Sequence, residues 1–162
     1  MSGFKDFSIF QKILLYLSVL SLIVPLIYIV ATWTSIPDQI PTHFNASGEA
    51  DAWNSKTSVI VLIVVQVFIF ILMLFSLLFP QIWNFPVKLT QNNAEAAYRY
   101  TRSMLCWMTL GINAMFSYIN IQSCRGASLG VFFLPVTLGA IAFILIFYMI
   151  RVIRLPKSKT PQ

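Results

Sequence analysis

Charge is scarce in this chain. Asp, Glu, Lys and Arg together make up 10% of its 162 residues, against 58% hydrophobic residues. A soluble domain carries about 25% charged residues to keep its surface wet, so the composition excludes an ordinary soluble globule. The mean hydropathy of +0.79 agrees. Five residues are acidic and one is histidine, which leaves little material for acid–base or metal chemistry. Cysteine is confined to Cys106 and Cys124, and their spacing fits neither a zinc pattern nor a redox pair. On one helix they would stand about 27 Å apart, well beyond the roughly 7 Å a disulfide spans, so they read as packed thiols. No Ser or Cys has a His or acid beside it in a recognisable nucleophilic arrangement, and no phosphate-binding loop is present. The chain therefore reads as a non-enzyme without a cofactor. Its net charge of +6 does not signal nucleic acid, because no basic patch on a polar face accompanies it.

What the chain does have is four long apolar stretches, at residues 13–33, 59–79, 104–121 and 129–150. Each approaches the roughly 20 residues that a helix needs to cross a bilayer, and each is apolar all round rather than along one stripe. The expectation is an all-α membrane protein: a four-helix transmembrane bundle forming one domain over residues 1–154, with a structured outer loop between helices 1 and 2. The polar tail at 155–162 is expected to be disordered. The first stretch exceeds a signal-peptide core of about 7–15 residues. It ends at bulky Trp33, an interface anchor, so it reads as an uncleaved helix.

Basic residues set the expected orientation. Nine of the eleven (Lys5, Lys12, Lys88, Arg99, Arg102, Arg151, Arg154, Lys157 and Lys159) fall on one side with Asp6 and Glu95, a net +7. Lys56 and Arg125 share the other side with Asp38, Glu49 and Asp51, a net −1. The reading is a bacterial cytoplasmic membrane protein with both termini in the cytoplasm. Within the spans, Pro25 and Pro135 each remove a helical hydrogen bond, and Gln66 and Asn113 are expected to bond across helices. No ionisable residue lies deep in a span, which argues against an ion path. Arg102 is expected to snorkel at the inner edge. Helix 3 is expected to begin near Asn92 or Asn93, with Glu95 in its first turn.

The outer loop at 34–57 concentrates the polar chemistry. Pro37 and Pro41 bias Ile36 and Ile40 toward extended geometry. Ser47-Gly48 is a turn signal, Trp53 suits the headgroup zone, and Ser55 is placed to cap helix 2. His43, Glu49 and Asp51 are weak candidates for a divalent-metal site, because imidazole and carboxylate suit zinc. The plainer reading is that these groups organise the loop, with Asp51 pairing Lys56 or bonding backbone amides.

Residues 36–56 resemble the signature of a bacterial membrane domain of unknown function. That domain also forms the N-terminal part of the sporulation-delaying-protein immunity family. The pattern falls on Pro37, Asp38, Ile40, Pro41, His43, Phe44, Asn45, Gly48, Asp51, Trp53 and Lys56. The resemblance implies protection of a cell from a secreted toxic peptide. The expected function is thus a small membrane protein of immunity or binding type, meeting an extracellular peptide through its loop. Its ligand-binding or loop-organising residues are Asp38, His43, Asn45, Gly48, Asp51, Trp53 and Lys56. The alternative is a regulatory or structural subunit that docks a protein partner through its cytoplasmic surface. A metal-dependent hydrolase built on His43 ranks third.

Overall fold

The computed structural model describes residues 7–156. Four helices are long and apolar enough to cross a membrane, the architecture of a multi-pass membrane protein. They are α1 (Ile9–Thr32), α2 (Ser58–Leu78), α3 (Ala94–Cys124) and α4 (Phe133–Ile153). Between α1 and α2 lies a small antiparallel sheet of two strands, β1 (Gln39–Phe44) and β2 (Ala50–Ser55). The expected all-helical bundle thus also carries a β-hairpin.

The least apolar helix is the one on which the others pack: α3 touches α1, α2 and α4, whereas α1 and α2 meet each other little. The buried face of α3 explains this. From Arg102 it runs through Cys106, Thr109, Asn113, Ser117, Asn120 and Cys124, at steps of three and four that keep one face of a helix. Every residue of that stripe after Arg102 is small or polar. Large apolar side chains such as Val30, Phe68 and Phe143 point outward instead. Lipid tails are as apolar as leucine, so burial alone gives transmembrane helices no reason to associate. Small residues and interhelical hydrogen bonds supply it.

The polar layer is centred on Gln66 of α2, which is 1% exposed. Its Nε2 donates to the Asn113 carbonyl at 3.2 Å, to Ser117 Oγ at 3.1 Å and, at 3.5 Å, toward the Ser21 carbonyl of α1. Its Oε1 accepts from Asn120 Nδ2 at 2.8 Å. Ser117 Oγ also touches the Ser21 carbonyl. That carbonyl would ordinarily accept from the amide four residues on, which is Pro25 of α1 and has no N–H. Proline thus releases an acceptor that neighbouring helices take up, as membrane helices allow. Above and below this layer lie two apolar clusters. One gathers Phe7, Leu14, Leu15, Leu77 and Cys106; the other gathers Ile29, Ile36, Ile40, Val59 and Cys124.

Both ends of the described chain leave from the same end of the bundle. Asn93 Nδ2 donates to the Pro156 carbonyl at 3.0 Å, and the Arg102 guanidinium lies 4.8 Å from the Phe7 ring centroid.

Several expectations need correction. Helix 1 starts at Ile9 rather than residue 13, because Ser8 and Gln11 form a reciprocal capping box. Helix 3 continues to Cys124, past the expected end of its apolar stretch at residue 121. Helix 4 starts at Phe133 rather than 129: Gly130 has φ +85, a left-handed conformation that a right-handed helix cannot include. The Asn113 side-chain amide donates within its own helix, to the Thr109 carbonyl at 2.9 Å, and only its backbone carbonyl serves α2. Arg102, expected to snorkel, is 9% exposed; its guanidinium lies over the Phe7 ring and borders a polar cavity. Asn93 does occupy the N-cap position of α3. Its side chain, however, accepts from the Thr90 amide at 2.7 Å rather than from the helix. Residues 157–162, the bulk of the tail expected to be disordered, lie outside the described residues, as do Lys5 and Asp6.

The small-residue face of α3 should tolerate enlargement poorly. Thr109→Leu, at a fully buried site, is expected to cost about 1–3 kcal/mol by overpacking. Val61→Leu, on the exposed face of α2, should leave stability unchanged. Unfolding titrations of the two variants in detergent micelles check this.

Candidate functional site

The polar segment between α1 and α2 folds into a hairpin fixed at its base and at its tip. The base is apolar: Ile36 and Ile40, 4% and 0% exposed, insert among Ile29, Val59 and Cys124. Burial of a side chain of this size stabilises by about 1.5–3 kcal/mol. The Lys56 amide closes the base by donating to the Asp38 carbonyl at 2.9 Å.

The tip is a tight turn built by Asn45. Its Oδ1 accepts from the Ser47 and Glu49 amides at 2.9 and 3.0 Å, and its own carbonyl accepts from Gly48 N–H at 2.9 Å. This is the local side-chain-to-backbone bonding that suits Asn to turns. Gly48, at φ +75, then docks on the α3–α4 turn: its carbonyl accepts from the Leu129 amide at 2.7 Å. A Cβ at Gly48 would stand 2.5 Å from the Gly130 carbonyl oxygen. Glycine is required here both for its backbone conformation and for the close approach. Pro37 and Trp53 reach the same turn, since a Cβ on Gly126 would rest 3.8 Å from the Pro37 ring and 4.0 Å from the Trp53 ring. Trp53, expected in the headgroup zone, thus borders the α3–α4 turn, and Leu129 and Gly130, expected within helix 4, form the seat of the tip.

The strands pair Gln39 with Ser55, Ile40 with Asn54, Pro41 with Trp53, His43 with Ala52 and Phe44 with Ala50. That register leaves Thr42 and Asp51 unopposed, one irregularity on each strand. Asn54 Nδ2 donates to Thr42 Oγ1 at 2.8 Å, and Asp51 Oδ1 meets His43 Nδ1 at 2.5 Å. The His43 and Asp51 side chains are 70% and 42% exposed, so the pair faces outward.

The ion pairs differ from those expected. Asp51 pairs with His43, and Lys56 pairs with Asp38 at 3.5 Å while its ammonium lies 5.6 Å from the Trp33 ring centroid. Ser55 does not cap α2. Thr57 takes the N-cap position without a side-chain bond to the helix, and the two hydroxyls lie 2.7 Å apart. Of the weak metal candidates, the fold joins His43 to Asp51 but does not bring Glu49 into a ligand set with them. Among the described residues no three His, Cys, Asp or Glu side chains converge.

Beneath the hairpin, where α1 and α3 end, a cleft of about 280 Å³ is lined by Tyr28, Thr32, Ser35, Ile36, Pro37, Cys124 and Arg125. The site is therefore an exposed carboxylate and imidazole face, anchored at the hairpin's base and tip above a small mixed-polarity cleft lined by one cation, Arg125. Such a surface suits recognition.

Seating and surface chemistry can be separated by mutation. Gly48→Ala is expected to cost about 1–3 kcal/mol, the range for an ordinary residue forced into the left-handed region, and to open the hairpin to protease. His43→Ala removes one side of an exposed pair, worth under about 1 kcal/mol. Thermal unfolding combined with limited proteolysis should rank the two in that order.

No curated protein and no solved structure matches the chain. Residues 20–67, which span the second half of α1, the whole hairpin and the first half of α2, match the model of a family described as a domain of unknown function, DUF1648.

Proposed function

We propose that the chain is a binding or immunity-type protein of the bacterial cytoplasmic membrane. In this reading both termini are cytoplasmic and the hairpin faces outward, where it intercepts a secreted or membrane-active peptide. The observation that carries the reading is the seating of the hairpin. Its apolar base and glycine tip are fixed to the helix ends, while the His43–Asp51 pair stays open to solvent. Side chains presented on a rigid support lose little freedom on binding, which favours affinity.

The charge distribution supports the orientation and the partner. Of the eight basic residues among the described ones, six (Lys12, Lys88, Arg99, Arg102, Arg151 and Arg154) lie toward the end away from the hairpin, the pattern that the positive-inside rule associates with a cytoplasmic face. The hairpin end, with three carboxylates against two cations, favours a cationic peptide. Its contribution lies mainly in steering the encounter. The resemblance of residues 36–56 to the sporulation-delaying-protein immunity family points the same way. No metal and no catalytic step is required.

Expression in a susceptible bacterium tests the proposal. The wild-type chain should reduce killing by a cationic membrane-active peptide. His43→Ala combined with Asp51→Ala should lose most of that protection at an unchanged membrane level. Full protection by the double variant would show that the hairpin face does not carry the function. Capture of a stoichiometric cytoplasmic protein after crosslinking, without any protection, would favour a regulatory subunit instead.

A further inference from the structure

The end of the bundle opposite the hairpin carries two adjoining cavities. The first, of about 390 Å³, is lined by Ser8, Gln11, Glu95, Tyr98, Arg99 and Arg102. The second, of about 290 Å³, is bordered by α1 and α2 and lined by apolar side chains that include Leu15, Phe70 and Leu77. Phe7 joins them. Its ring lines the second cavity and lies 4.8 Å from the Arg102 guanidinium, which lines the first.

The polar cavity is built from fixed groups. Gln11 is 2% exposed; its amide is tied to Ser8 by the capping box, and its Nε2 donates to Ser103 Oγ at 2.8 Å. Arg102 is held over Phe7, while Arg99, one turn earlier on α3, is exposed. Two guanidiniums against the Glu95 carboxylate give the cavity a net positive charge, and the planar guanidinium fork matches phosphate oxygens. The adjoining groove, with its apolar lining, suits hydrocarbon. A free phosphate would use only the first cavity, and a neutral apolar ligand only the second.

We propose that the pair of cavities binds one anionic phospholipid. Its phosphate lies against Arg99 and Arg102, headgroup hydroxyls reach Glu95, and an acyl chain lies in the groove beside Phe7. Basic pockets between transmembrane helices take acidic headgroups for the same physical reason. The site is independent of the hairpin.

Native mass spectrometry of the purified full-length protein in detergent, titrated with phosphatidylglycerol or phosphatidylcholine, tests the assignment. Phosphatidylglycerol should bind more tightly. Arg99→Gln should weaken it about fivefold, the effect of one basic contact near a headgroup. Arg154→Gln removes the same charge from outside the cavities and should change nothing. Val19→Trp, which fills the apolar groove, should lower retention of both lipids. Equal losses from Arg99→Gln and Arg154→Gln would reduce the effect to general surface attraction and overturn the site. Displacement of the lipid by inorganic phosphate would overturn it as well. Circular dichroism of each variant separates lost binding from lost folding.

Discussion

Gln66 is a primary amide buried among apolar helices, 1% exposed. An unpaired amide in hydrocarbon costs several kcal/mol, so its partners must come from the other helices. They do: Asn113, Ser117 and Asn120 of α3 together with Ser21 of α1 surround it. The arrangement of the bundle follows. The helix with most small and polar residues becomes the centre, the most apolar helices lie around it, and α4 buries only Val152 of its length. Pro25 is part of the same arrangement, because it frees the Ser21 carbonyl for its neighbours.

The hairpin depends on this frame. With α1, α2 and α3 fixed near Gln66, their hairpin-side ends form the apolar seat of Ile36 and Ile40, and the α3–α4 turn meets the tip at Gly48. Most motif positions then have a physical role. Asn45 shapes the turn, Gly48 permits contact with Gly130, Pro37 and Trp53 border the turn at Gly126, and Lys56 closes the base. His43 and Asp51 differ from these. They bond to each other with both side chains open to solvent, and the proposed recognition rests on them.

The number and rough position of the helices were legible, because crossing a bilayer demands about 20 apolar residues regardless of tertiary detail. The ends were less so. The capping box of Ser8 and Gln11 was present in the sequence but lies before the apolar run. Leu129 looks like part of helix 4, yet its amide is taken by Gly48. The turn at Ser47-Gly48 was readable, whereas the His43–Asp51 pairing was not, because it depends on strand irregularities that simple alternation cannot place. Asn120 could have been found: it lies seven residues after Asn113, on the same helical face.

The polar layer around Gln66 joins the helices, and a double-mutant cycle tests this most directly. Gln66→Leu, Asn120→Ala and the double variant would be compared by unfolding in bicelles. The predicted coupling is about 0.6–1.7 kcal/mol, the range for hydrogen bonds between membrane helices. Strict additivity of the two losses, within about 0.3–0.5 kcal/mol, would show that the layer does not join the helices.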